Sequence, residues 1–292
     1  MPNVAVVTDT THYLPREVIQ RHGIREVSLY VRWGDPPADT READMPDFDA
    51  FYDHLRSSRD LPTTSQPSVG DFLEVYEPLI EDGADIVSLH LSGGISGTVR
   101  SAEQARDQLA ERGIAAERIT IVDSGTVCAG LGLMALAAAN AAAEGADAAG
   151  ATAAAHALRK EMKILFAVDT LEFLRRGGRI GGAQAWIGST LRTKPILAIE
   201  NEVVPVERVR TWGRAFERMV DHLESLREDG ADRFYVQHIQ APDQAEKLAQ
   251  RGEAIYGRPP DLVSEMGPVI GTHAGPGLIG VTALRGELVG PI

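Results

Sequence analysis

Between Leu91 and Thr98 the chain reads LSGGISGT, two serines, three glycines and a threonine set between a hydrophobic strand, Asp85–Leu91, and a helix that opens at Thr98. A strand that runs through a Gly/Ser loop into a helix is a way to hold an anion. Unpaired backbone N–H groups and the positive end of the helix dipole converge on such a loop. Ser96, Gly97 and Thr98 stand at that point. A tight turn alone also accounts for glycine here, because glycine takes positive φ without steric cost. The loop is not a P-loop, since no Gly-Lys-Ser/Thr occurs in the chain. Nor is it a nucleophile elbow, since Ser96 is followed directly by Gly97.

Three further stretches carry polar chemistry. TTSQPSVGDF (Thr63–Phe72) gathers hydroxyls, Thr64 and Ser65 among them, and an amide around Pro67. It reads either as turn and capping chemistry or as a set of ligand hydroxyls. RRGGRIGG opens a segment, Phe173–Ile199, that holds Arg175, Arg176, Arg179, Arg192 and Lys194 and no acidic residue. That is a solvated basic loop or a docking surface for phosphate or an acidic protein face. GTHAGPGLIGV (Gly271–Val281) puts His273 between a strand and a Gly-Pro-Gly turn, where small neighbours let an imidazole approach a ligand closely. The remaining histidines show no helical pairing and no H-E-x-x-H, so no metal site is expected. Gly130-Leu-Gly132-Leu-Met-Ala135 matches a dinucleotide fingerprint on paper, but it lies too far beyond the strand Ile119–Val122. It is expected to be a small-residue helix packed on a sheet.

The elements that must position these residues alternate in the first half. Strands are expected at Val4–Thr8, Ile24–Val31, Asp85–Leu91 and Ile119–Val122. Helices are expected at Pro15–His22, Phe48–Arg56, Val69–Glu81, Thr98–Glu111 and Leu131–Glu144, with one more in the Ala141–Ala155 stretch. Ser68 and Asp71 form a capping pair for the third of these helices. This βαβ rhythm predicts a doubly wound parallel sheet. After residue 160 the pattern changes to a strand at Ile164–Val168, a short helix at Leu171–Arg176, and a hairpin with arms Ile196–Ile199 and Val203–Val209. Helices at Arg214–Glu228 and Gln244–Gly252 and strands at Phe234–Ile239, Leu262–Glu265 and Gly280–Leu284 follow. The expectation is therefore an α/β protein of two domains, a Rossmann-like unit over residues 1–160 and an α+β unit over 161–292.

Bulk properties narrow the function classes. The 292-residue chain is 43% hydrophobic and 24% charged, which fits a soluble globular protein with a substantial core. Its formal net charge of −13 argues against nucleic acid and anionic membrane surfaces as partners. The single cysteine, Cys128, excludes an internal disulfide and fits a cytoplasmic location. The N-terminus reads as a first strand and not as a signal peptide, and no tract is apolar enough to span a bilayer.

Taken in order, the blocks TDTTHYLP, TTSQPS, LSGGISGTVRSAEQA, VDSGT, LEFLRRGGRIGG, LRTKPIL, VRT and GTHAGPG resemble the DegV family. Its members are fatty-acid-binding proteins that act as lipid-presenting subunits of bacterial fatty acid kinase. The chain departs from the family pattern T-D-S-T-A-D-L-P at Thr10, His12 and Tyr13, and the family's basic block often carries a lysine where this chain has Arg175 or Arg176. The resemblance implies a long-chain fatty acid in a tunnel between the two domains, with its carboxylate held by Thr64, Ser96 and His273. Ser65, Gly97 and Thr98 would support that loop. It implies no catalytic residues, metal or cofactor of the chain's own: a kinase subunit acting in trans would bring ATP and Mg²⁺. Arg179 and Arg210 would meet that kinase or a phosphate, and the chain would be a monomer when free. Burying about fifteen methylenes at roughly 0.8 kcal/mol each supplies on the order of 12 kcal/mol before entropic costs, so the polar contacts serve to orient the head group. A different reading is an independent hydrolase or acyl transferase using Ser96 and His273, with Asp9 as the orienting acid. A third is a phosphate or nucleotide binder acting through the arginine-rich loop.

Overall fold

The computed structural model describes residues 3–58, 61–187 and 193–292. Its first half contains strands β1 (Val4–Asp9), β2 (Arg25–Val27), β3 (Tyr30–Trp33), β4 (Ala38–Arg41), β5 (Thr63–Ser65), β6 (Asp85–His90) and β7 (Ile119–Asp123). Between and after them run helices α1 (Arg16–Arg21), α2 (Asp49–Ser57), α3 (Val69–Glu81), α4 (Thr98–Glu111), α5 (Ala129–Ala143) and α6 (Ala148–Glu161). Strands β2, β1, β6 and β7 form a parallel sheet in that order. Helices α3 and α4 cover one face, and α5 and α6 the other. Burial on both faces explains why β1 and β6 read as near-continuous apolar runs.

Helix α5 is apolar all round and almost wholly buried. Its glycines are a packing device, as the sequence suggests. A Cβ on Gly132 would lie 2.7 Å from Leu14 Cγ, and one on Gly130 would lie 2.8 Å from Ile164 Cδ1. Ser68 and Asp71 make the reciprocal capping box expected for α3.

The second half runs β8 (Leu165–Ala167), α7 (Glu172–Arg176), β9 (Lys194–Glu200), β10 (Glu202–Val209), α8 (Trp212–Glu228), β11 (Arg233–Ile239), α9 (Pro242–Tyr256), β12 (Leu262–Glu265), α10 (Pro268–Ala274), β13 (Leu278–Leu284) and α11 (Gly286–Val289). Its six-stranded sheet has the order β10-β9-β8-β13-β11-β12 and is antiparallel except between β11 and β12. One face packs on α8 and α9, while the other contributes Leu197, Tyr235 and Leu278 to a core shared with the first half. The β9–β10 hairpin turns through the single residue Asn201, which sits at φ +66° as asparagine tolerates.

Two expectations are corrected. The single strand over Ile24–Val31 is two strands in different sheets. Buried Ser28 breaks the run, its hydroxyl donating to the Leu29 carbonyl and accepting the Ala43 N–H. Strand β3 then leaves the parallel sheet and joins an antiparallel sheet of order β4-β3-β5. The Thr63–Ser65 stretch, expected to be a loop leading into a helix, is an edge strand of that small sheet, with Thr64 opposite Val31. No apolar alternation marks it, and its conformation follows from pairing with β3.

Candidate functional site

A cavity of about 1060 Å³, counting the space open at its mouth, lies where the two halves meet. Its walls are apolar, with Leu91, Ile95 and Val127 from the first half and Phe166, Ile199 and Val203 from the second. Cys128 lies in the wall, and burial pushes its thiol pKa up, so it stays protonated and behaves as an apolar group. Thr64, Ser65, Gln66, Ser96, Arg179 and His273 also line the cavity, gathering residues from four separate chain segments.

His273 occupies the last turn of α10, which corrects its expected position in a strand-to-turn connection. Thr64 Oγ1 lies 2.7 Å from His273 Nε2. The other ring nitrogen, Nδ1, is buried without a partner. It faces Gly177, where any side chain would collide with the ring, so the first glycine of the RRGGRIGG pair makes room for the histidine. Burial, and after it the Arg179 charge, holds the His273 pKa down at about 4. The imidazole is therefore neutral at pH 7, and a carboxylate brought beside it would offset the arginine.

Ser96 sits in the turn between β6 and α4. Its hydroxyl lies 2.9 Å from Thr98 Oγ1 and accepts the Thr98 N–H. Helix α4 starts after Gly97 with no side-chain cap, leaving the helix end to backbone donors. Gly97 supports the site by giving room to Gln66, since a Cβ there would lie 3.0 Å from Gln66 Nε2. Gln66 is the amide of the TTSQPS block, and its place in the cavity lining follows from the packing of the strand against the Ser96 loop.

Arg179 is exposed at the rim and reaches the cavity, its guanidinium donating to the carbonyls of Ile95 (3.2 Å) and Gly177 (2.7 Å). Arg210 is exposed beyond the end of β10 and does not line the cavity. It lies seven positions beyond Val203 in the cavity wall, roughly 23 Å along the hairpin at about 3.3 Å per residue. The basic run is less free than its composition suggests. Arg175 pairs with Glu172 at 2.6 Å and Lys194 pairs with Asp169, both acids lying just ahead of the run. Arg192 falls outside the described residues.

Asp9, expected as an orienting acid for a Ser96–His273 pair, is committed elsewhere. One of its oxygens accepts from the Thr11 backbone and hydroxyl, and the other meets His90 Nδ1 at 3.1 Å and the Leu91 N–H at 2.9 Å. His90 in turn lies 2.7 Å from Ser88 Oγ. This is an acid–imidazole–hydroxyl row, but every member is fully buried between β1 and β6, away from the cavity. It holds the sheet and offers no substrate a path.

Glu42 lies behind the site. Its carboxylate accepts from Tyr13 Oη at 2.9 Å and from the Val269 N–H at 2.8 Å, tying the small sheet's connection to the start of the helix that carries His273. Burial raises its pKa to about 7. Among the described residues no helix is long and apolar enough to cross a membrane.

This architecture recurs in known proteins. The chain is 42% identical over 286 residues to a DegV domain-containing protein of Streptomyces coelicolor, covering 96% of this chain and 97% of that one. It is 36% identical over 284 residues to the protein DegV of Bacillus subtilis, covering 96% and 98%. Among solved structures, a DegV family protein from Thermus thermophilus described for its fatty acid binding superposes with a TM-score of 0.85 at 37% identity, over 97% of this chain and 99% of that one. DegV of Bacillus subtilis, described as a fatty acid binding protein, superposes with a TM-score of 0.84 at 34% identity, over 98% and 100%. A family model described as an uncharacterised protein of the DegV family matches residues 3–286, and the chain belongs to the DegV family.

Proposed function

We propose that this protein binds a long-chain fatty acid in the cavity and presents its carboxylate to a separate kinase subunit. The observation that carries the reading is the apolar cavity with the Thr64–His273 pair, Ser96 and Arg179 in its lining. Fatty acid binding by the related Thermus and Bacillus proteins supports the choice of ligand. Thr64, Ser96 and a neutral His273 would hold the head group by hydrogen bonds, with Ser65, Gly97 and Thr98 shaping the loop around it. The partner kinase would bring ATP and Mg²⁺. The carboxylate oxygen would attack the γ-phosphorus and ADP would leave with the electron pair of the broken P–O bond, giving an acyl phosphate. The exposed Arg179 and Arg210 would meet the kinase or a phosphate as a monomeric lipid carrier docks in the cytoplasm.

Denaturing extraction followed by lipid mass spectrometry tests the first half of the proposal. Protein from a bacterial host should release about one fatty acid per chain into organic solvent without alkaline cleavage. Preparations that hold no lipid and take none up would sink it. For the second half, Arg179→Ala and Arg210→Ala should keep the lipid yet lose acyl-phosphate formation with the family's kinase and ATP. Lysine should rescue partly and glutamate should be worst, because lysine keeps the charge without the bidentate fork. Variants phosphorylated at the wild-type rate would reduce these arginines to a solvated surface.

A further inference from the structure

The tip of the β9–β10 hairpin reaches from the second half of the molecule onto the head-group loop of the first. Ser92 Oγ lies 2.5 Å from the Asn201 carbonyl and 2.8 Å from Asn201 Oδ1, so its one proton is directed at this residue. The same oxygen accepts the Gly94 N–H at 3.1 Å. The Ser92 carbonyl accepts the N–H groups of both Ile95 and Ser96, each at 3.1 Å. A hydrogen-bonded path therefore runs from Asn201 through Ser92 to the backbone of Ser96.

The contact is close and braced. Any side chain at Gly94 would collide with the Asn201 carbonyl. The Asn201 N–H donates to the Gly125 carbonyl at 2.9 Å, which also accepts from Arg159 Nη2 at 2.9 Å. Asp123 bridges the two loops under the tip by accepting from Gly93 and Gly125. The hairpin that carries Asn201 also supplies Ile199 and Val203 to the cavity wall.

We infer that Asn201 is a positioning residue, which through Ser92 holds the Ser96 turn in the geometry that selects a free carboxylate. The inference rests on the lipid-binding reading above. It differs from a scaffold role in one respect: loosening this latch should blur recognition of the head group while leaving the apolar walls able to take a chain.

The test uses delipidated full-length protein with palmitate and methyl palmitate as probes, which share a chain and differ in the carboxylate. Ser92→Ala removes the hydroxyl that meets Asn201. Asn201→Gly keeps the positive φ, the carbonyl and the N–H, and removes only the Oδ1 contact. The wild-type preference for acid over ester should fall about five- to ten-fold in Ser92→Ala and about two- to three-fold in Asn201→Gly, with ester affinity unchanged. The double variant should lose no more than Ser92→Ala, because both act on one contact. Retained ester binding shows that each variant is folded. Equal weakening of both probes, or an unchanged preference, overturns the inference. Wild-type protein that takes neither probe overturns the lipid-binding reading itself, and the inference with it.

Discussion

His90 and His273 each lie 2.7 Å from a hydroxyl, yet the two regions do opposite things with the same pair. In the parallel sheet, His90 has Ser88 on one ring nitrogen and Asp9 on the other, and Tyr76 completes the row by donating to Ser88 at 2.6 Å. Nothing is left over, and the row is sealed from solvent. At the cavity, His273 has Thr64 on Nε2, no partner on Nδ1 and a cation beside it. A fully paired imidazole in a closed interior holds structure. An imidazole paired with a hydroxyl in the lining of a cavity is a place where a ligand can join the pair. Satisfaction of the polar atoms, more than residue identity, separates the two.

The largest effect should come from breaking the closed row. Asp9→Ala leaves His90, the Leu91 N–H and the Thr11 groups without their buried acceptor, and should cost about 3–5 kcal/mol of stability in urea unfolding. A variant of wild-type stability would mean that this row is not structural.

Glu42, beneath the open region, should show itself through pH. Its folded-state pKa of about 7 lies above that of an unfolded carboxyl, so the folded protein holds a proton the unfolded chain has released. Stability should therefore fall as pH rises from about 5 to about 7, by roughly 3 kcal/mol in all. Glu42→Gln keeps an acceptor for Tyr13 and Val269 and should flatten that slope. Parallel pH profiles for the two proteins would remove Glu42 as the cause.

Thr64→Val and Ser96→Ala should leave unfolding nearly unchanged. Each loses one hydrogen bond to a charged head group, about 1.5–3 kcal/mol, so palmitate affinity should drop roughly ten- to a hundred-fold. Unchanged affinity in both would take these hydroxyls out of the site. The imidazole offers a spectroscopic check on the same region. The His273 titration followed by NMR should centre near 4 in the free protein and move upward when palmitate is added, because the carboxylate offsets Arg179. A midpoint that stays in place would separate the head group from His273. The smallest effect belongs to Arg179→Ala, whose exposed guanidinium should change palmitate affinity by less than about ten-fold. A larger loss would move Arg179 from the rim into the head-group site itself.

Local chemistry made much of this protein legible in its sequence. The βα alternation, the Ser68–Asp71 capping box, the hairpin around Asn201 and the packing glycines of α5 depend on neighbours a few residues away, so periodicity and turn chemistry carry them. The polar blocks that reach the cavity were visible for the same reason, as clusters of hydroxyls, glycines and a histidine. What only the tertiary structure decided is which of these groups meet. Thr64 finds His273 across 209 residues, Ser92 finds Asn201 across 109, and Asp9 turns to His90 instead of His273. Strand β5 exists because β3 offers it an edge, and the Ile95 carbonyl holds Arg179 at the cavity from 84 residues away. Contacts of that kind arise when distant elements pack, and no spacing along the chain encodes them.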